Sequence, residues 1–304
     1  MMKILGGTIL VLLLAGAAVM FAIRQNGPAV LDMVDRIVGG ARDVELVEQA
    51  LYGDAAAQKV RVYREGNGST PQPIFLFVHG GSWRWGDPDD YGLIARAIAP
   101  EGFVVVLAGY RLEQAGRYPA MLEDTASAIA WTRANAARLG GDPDRIILAG
   151  HSAGAYNVVQ VALEHRWLGE AGVPPDVIKG VVGLAGPYDF FPFDSDSTRA
   201  SFGSVGAGAE SQPVNHARAD APPMLLVHGE LDTLVKPRNT RALAAVLGEK
   251  GASAETIFYP GMDHNQPLIS LAAPWRNRRD VAQRITDFAH RITDISVPVQ
   301  AGRP

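Results

Sequence analysis

The sequence predicts an α/β fold: a mostly parallel central sheet flanked by helices. Three observations carry this expectation. Six short apolar runs without a polar face recur along the chain, at 74–78, 103–107, 145–149, 180–184, 224–228 and 255–259. Runs of that kind suit strands covered on both faces. Helix-like stretches separate them, and such alternation is the signature of βα units in a parallel sheet. Residues with chemical capacity follow directly after several of the runs, where a sheet of this type places its site.

Ile4 to Ile23 is an uncharged apolar run between Lys3 and Arg24, long enough to cross a bilayer. Ala15-Gly16-Ala17 resembles a signal cleavage site, but the apolar run continues past it, which favours an uncleaved anchor. Either reading places the chain outside the cytoplasm, exported and membrane-anchored or periplasmic/extracellular. Residues 1–27 are thus expected to form an anchor or signal segment, 28–57 a connector or cap element, 58–295 the main domain and 296–304 a tail. The alternating Val60–Tyr63, a turn cluster and the run at 74–78 read as a hairpin feeding a buried strand. Asp87-Pro88 suits the start of a helix to about Ala99. Helices are also expected at 119–138, after Ser152, and from Pro237 to about Gly248. Val281, Ile285, Phe288 and Ile292 fall on one stripe of a final helix. Residues 190–222 break the rhythm with Phe, Pro, Ser, Gly and Asp, and are expected to form a small cap insertion over the site.

Composition narrows the function classes. A net charge of -4 with no basic patch argues against nucleic acid as a partner. The chain has no cysteine, which removes disulfides, thiolate catalysis and Cys-ligated zinc. No zinc-type His spacing occurs and the glycine-rich stretch 203–208 does not lead from a strand into a helix. No metal and no cofactor are expected.

The chemistry is expected at "DRIILAGHSAGAYN". Gly150-His151-Ser152-Ala153-Gly154 fits G-x-S-x-G between a strand and a helix, where small flanking residues permit the tight turn and a serine is pushed into the site. A serine hydroxyl needs a base to become nucleophilic, and the base needs an acid to orient it. His264 follows the last strand and Asp232 follows the run at 224–228, giving the chain order Ser, Asp, His. Glu230 and Asp263 compete for the acid's place. Asp263 adjoins His264, and neighbouring side chains in a turn reach each other poorly, so Asp232 is preferred. His79-Gly80-Gly81-Ser82-Trp83 follows the first buried strand. Gly80, Gly81 and Ser82 can present unobstructed backbone N–H groups to an oxyanion, with the Ala153 N–H as the second donor. Trp83 and Trp85 are candidates for a substrate pocket.

These blocks resemble the α/β-hydrolase superfamily, in its hormone-sensitive-lipase-like and kynurenine-formamidase-like esterase branch. The resemblance rests on His79–Trp83, Tyr110-Arg111-Leu112, Tyr118-Pro119 with Asp124, Gly141–Ile146, Gly150–Gly154, His228–Asp232 and Gly261–His264, and covers roughly residues 50–290. It implies the α/β-hydrolase fold, the triad, and metal-free hydrolysis of a small-molecule ester or amide. Ser82 stands where the lipase-like branch often has a third glycine, which favours formamidase-like and bacterial carboxylesterase members. A carboxylesterase for small or medium acyl esters is the leading expectation and an aryl formamidase the alternative. A catalytically silent, membrane-tethered binding module would be expected to have lost a triad member.

The plainer readings stand beside these. Ser152 could be a helix N-cap, His264 a surface loop residue, and the tryptophans packing. Asp124 is read as a buried structural carboxylate, Glu230 as structural and Asp189 as a turn residue. Asn67-Gly68-Ser69 matches a glycosylation acceptor and equally a turn.

Overall fold

The computed structural model describes residues 21–23, 25–39, 43–66, 70–203 and 208–294. Most of the expected anchor, the Asn67–Ser69 turn and the expected tail lie outside these residues. Among the described residues no helix is long and apolar enough to cross a membrane.

Eight strands form one sheet. They are β1 (Val44–Leu51), β2 (Lys59–Glu65), β3 (Gln72–Val78), β4 (Val104–Ala108), β5 (Gly141–His151), β6 (Ile178–Leu184), β7 (Met224–Gly229) and β8 (Ala254–Tyr259). The spatial order is β1-β2-β4-β3-β5-β6-β7-β8. β2 runs antiparallel to both β1 and β4, and every pairing from β4 to β8 is parallel. The helices are α1 (25–38), α2 (Gly92–Ile98), α3 (Ala120–Asn135), α4 (Ala153–Leu163), α5 (His165–Glu170), α6 (Asp196–Phe202), α7 (Arg238–Glu249), α8 (Gln266–Ile269), α9 (Ala273–Arg276) and α10 (Val281–Thr293).

Strand alternation sorts the core into two layers. Ile74, Leu76, Val104, Val106, Ile146, Leu148, Val181 and Leu226 face α3, α4 and α7 through Leu122, Ile129, Val158 and Leu243. Phe75, Phe77, Val105, Leu107, Ile147, Val182 and Leu225 face α2 and α10 through Leu93, Ile98, Ile285 and Phe288. This double cover is why the central strands read as continuous apolar runs. β8 departs from that expectation: it is the sheet's edge, half-exposed, and its Glu255 pairs with Arg291 at 2.5 Å.

The expected hairpin between 60–63 and 74–78 does not form. β4, VVVLA, is buried throughout, and it inserts between β2 and β3, where both of its edges are paired. The real hairpin is β1–β2, closed by Tyr52 N–H donating to the Gln58 carbonyl at 2.9 Å. The sheet therefore begins at Val44, inside the segment expected to be a connector.

Helix α1, in the same segment, is also tied down. Asp35 on α1 is fully buried and accepts hydrogen bonds from Arg96 Nε, the Ala273 N–H and Arg276 Nη2, the last at 3.0 Å. Asp32 pairs with Arg96 and, at 2.9 Å, with Arg36. Two carboxylates facing two buried-side guanidiniums satisfy one another in a way that a lone buried charge could not.

Candidate active site

Strand β5 ends at His151 and helix α4 starts at Ala153, leaving Ser152 as the one residue of the turn. Its backbone sits at φ 54° and ψ -119°, a left-handed conformation that a side chain with a Cβ adopts at a cost. The Ser152 N–H donates to the Leu184 carbonyl at 2.8 Å, which fixes the turn to β6. Gly154 allows the close approach: a Cβ there would lie 2.1 Å from the Val78 carbonyl oxygen. Ser152 does occupy the N-cap position, but its side chain caps nothing. Its hydroxyl instead donates to His264 Nε2 at 2.9 Å.

The relay continues without a gap. His264 Nδ1–H donates to Asp232 Oδ2 at 2.7 Å. The carboxylate acceptor fixes the tautomer, leaving Nε2 free to accept the serine proton. Asp232 Oδ1 accepts the backbone N–H groups of Leu234 at 2.9 Å and Val235 at 2.8 Å. Ser152, Asp232 and His264 are all buried. Of the competing acids, Glu230 pairs with Arg241 at 2.5 Å, and Asp263 is exposed and accepts from its own turn's amides. Asp124 is the expected structural carboxylate, holding Gln58 Nε2, the Arg111 N–H and the Arg111 guanidinium. The Asp189 N–H donates to Asn239 Oδ1 at 2.8 Å.

Two histidines join the site in ways the sequence did not disclose. His228 is fully buried, with Nε2 3.1 Å from Asp232 Oδ2 and 2.7 Å from the Val235 carbonyl. Two acceptors at Nε2 require its proton there, so the Thr240 hydroxyl donates to Nδ1 at 2.8 Å. His151 Nε2–H donates to the His264 carbonyl at 3.0 Å, tying the serine turn to the histidine loop.

Burial makes two imidazoles near the serine, His151 and His79, unfit as bases. Burial pushes His151 down to about 3, with the neighbouring His264 adding to the shift. It pushes His79 down to about 4. His79 donates from Nδ1 to the Gly80 carbonyl at 2.7 Å and stacks on Tyr110. For Asp232, burial alone would raise the pKa. Hydrogen bonds from His228 and His264 outweigh it and hold the carboxyl well below the usual range.

The predicted oxyanion residues surround the serine. Gly80 lies against it: an added Cβ would sit 3.2 Å from the Ser152 Cβ. Gly81 has φ +119°, and a Cβ there would strike the Trp85 carbonyl oxygen at 1.8 Å. Ser82 and Trp83 are left-handed too, at φ 54° and 59°. Ser82 and Ala153 line the cleft beside Ser152, and the Ala153 N–H, at the first turn of α4, has no acceptor within the helix.

The cleft measures about 140 Å³. Trp83 lines it, and also packs on Phe202 and Phe190 while donating from Nε1 to Asn157 at 3.0 Å. Trp85 does not line it: the ring is 61% exposed and lies beside Arg84. Residues 190–222 supply Phe190, Asp194, Ser195, Ser197 and Thr198 to one wall. Leu234–Lys236, Arg238 and Asn239 line it as well, and no sequence pattern marked them.

Curated relatives resemble this chain in sequence, and solved structures share its fold. Esterase LipQ of Mycobacterium tuberculosis is 29% identical over 236 residues, 71% of this chain and 54% of its own. A probable isoprenylcysteine alpha-carbonyl methylesterase of Arabidopsis thaliana, ICMEL1, is 29% identical over 76% of this chain and 52% of its own. The chain thus spans about half the length of these curated relatives. The crystal structure of esterase B from Lactobacillus rhamnosis superposes with a TM-score of 0.73 at 19% identity, over 91% of this chain and 96% of that one. Apo Thermogutta terrifontis esterase 2 gives 0.67 at 21%, over 83% and 97%. At such identities the structures establish the α/β-hydrolase fold. The sequence profile of the BD-FAE family matches residues 60–247, well over half of the chain, and the chain belongs to that family.

Proposed function

We propose that this chain is a serine carboxylesterase acting on small acyl esters. The observation that carries the reading is the unbroken relay Ser152–His264–Asp232, opening on a cleft. Ser152 Oγ attacks the acyl carbon while its proton passes to His264 Nε2. His264 then protonates the alcohol oxygen as the C–O bond breaks, leaving an acyl-enzyme. Water attacks that ester, His264 takes the water's proton and returns it to Ser152, and the acid leaves. Asp232 holds the imidazole and stabilises its charged form. The esterase names of the relatives support the reaction class.

A cleft of about 140 Å³ is well below the few hundred Å³ of drug-sized sites. Purified full-length chain assayed with 4-nitrophenyl acetate through decanoate is expected to show kcat/KM falling with acyl length. An aryl formamide in the same assay is expected to be the poorer substrate. Preferential turnover of the formamide would replace the esterase reading with a formamidase one.

The oxyanion role of the Gly81–Ser82 segment makes a separate prediction. Gly81→Ala forces the left-handed segment away from the Trp85 carbonyl and shifts the Ser82 N–H. It is expected to lower kcat by on the order of a hundredfold or more with little change in KM. Equal loss of kcat and secondary structure, by circular dichroism, would mean unfolding instead.

A further inference from the structure

We propose that the cleft takes an ester bearing a negative charge on its acid or its alcohol part, and that Lys236 and Arg238 recognise that charge. The proposal rests on the serine-esterase reading and names the substrate class for that site.

Both residues line the cavity that holds Ser152. All 32 Asp and Glu residues of the chain lie among the described residues, and none forms an ion pair with either cation. Neighbouring cations behave differently. Arg241, one turn further along α7, pairs with Glu230 and covers the Phe258 ring at 4.3 Å. Arg199, on α6, pairs with Asp196 at 2.8 Å. The only acid among the cleft's lining residues is Asp194, so the wall carries a net positive charge in a chain of net charge -4.

The backbone beneath the two cations is held at both ends. At one end Asp232 Oδ1 takes the Leu234 and Val235 amides, and His228 takes the Val235 carbonyl. At the other, Asn239 donates to the Lys236 carbonyl at 3.0 Å and accepts from the Tyr188 N–H at 2.9 Å. The segment that carries the charges is thus built from the same hydrogen bonds that orient the triad acid. Pro237 leaves the first turn of α7 without a side-chain cap, which adds the positive end of a 12-residue helix to that wall. Both cations are exposed, so their effect is to select and steer a charged substrate, and salt should weaken it.

The test compares charged esters with neutral isosteres on the full-length chain and on the Lys236→Gln/Arg238→Gln double variant. Mono-4-nitrophenyl glutarate against the 4-nitrophenyl ester of glutaramic acid places the charge on the acyl side. 4-Acetoxybenzoate against 4-acetoxybenzamide places it on the alcohol side. In one pair the charged-to-neutral ratio of kcat/KM is expected to be about tenfold in the wild type, to fall to near one in the double variant, and to shrink at high salt. Which pair responds identifies the side. Unchanged ratios in both pairs between wild type and variant would overturn the proposal while leaving the esterase reading intact. Absence of Ser152-dependent turnover even on the neutral esters would overturn both.

Discussion

Ser152→Ala is expected to lower kcat by on the order of a million-fold, with KM for a small ester nearly unchanged. The size follows from what is lost: the nucleophile, and with it the covalent route and all use of His264 as a shuttle. What stays is the cleft and its backbone donors, which leave a residual rate above that of water. The fold should survive. The hydroxyl makes its side-chain bond to His264 alone, and the strained backbone is held by the Leu184 carbonyl and the glycines around it, not by the side chain. The check is kcat on 4-nitrophenyl acetate, paired with labelling by a phosphonate that reacts with activated serine. A variant within tenfold of wild type, or one still labelled, would remove Ser152 from the mechanism.

The parts legible in the sequence are those that local physics fixes. β3 to β7 announce themselves because a strand covered on both faces has no use for polar residues. Gly150 and Gly154 announce the serine because only residues without a Cβ tolerate the approach of α4 to β5 and to β3. The parts that stayed hidden depend on partners distant in the chain. β1, VELVEQAL, sits on the sheet's outer edge, half-exposed, so it carries no apolar run to detect. The neighbour of β2 is set by where β4 inserts, which no turn between β2 and β3 could disclose. Trp83 and Trp85 look equivalent in sequence. The left-handed backbone at Ser82 and Trp83 turns one ring into the aromatic cluster with Phe190 and Phe202, and the other lies in solvent. Lys236 and Arg238 line the cleft because the loop after Asp232 turns back on that carboxylate through the Leu234 and Val235 amides, a fold that no local pattern announces.

His228 shows the same limit at the level of chemistry. In sequence it is a histidine at a strand end. In three dimensions it is the second imidazole on the triad carboxylate, and it decides what a substitution there would do. Asp232→Asn is therefore expected to be unusually severe, at roughly ten-thousand-fold in kcat or more. The carboxylate faces four donors: the Leu234 and Val235 amides at Oδ1, and His228 and His264 at Oδ2. An asparagine amide has one acceptor and one donor end. If its NH2 replaces Oδ2, it opposes two imidazole N–H groups; if it replaces Oδ1, it opposes two backbone N–H groups. Neither orientation can be satisfied without loss. In the first, His264 is driven to carry its proton on Nε2, where it can no longer accept one from Ser152. A buried donor against a donor also costs about 1–3 kcal/mol of stability. The wild-type carboxylate gains stability through its depressed pKa. That gain is complete above the ordinary aspartate range and lost only as pH falls through the lower folded value, so the variant should lack it at neutral pH. Urea unfolding at neutral and acid pH, together with kcat, reads both effects. If Asp232→Asn kept wild-type kcat, Asp232 would be a loop brace for Leu234 and Val235, and the imidazole of His264 would need another orienting partner.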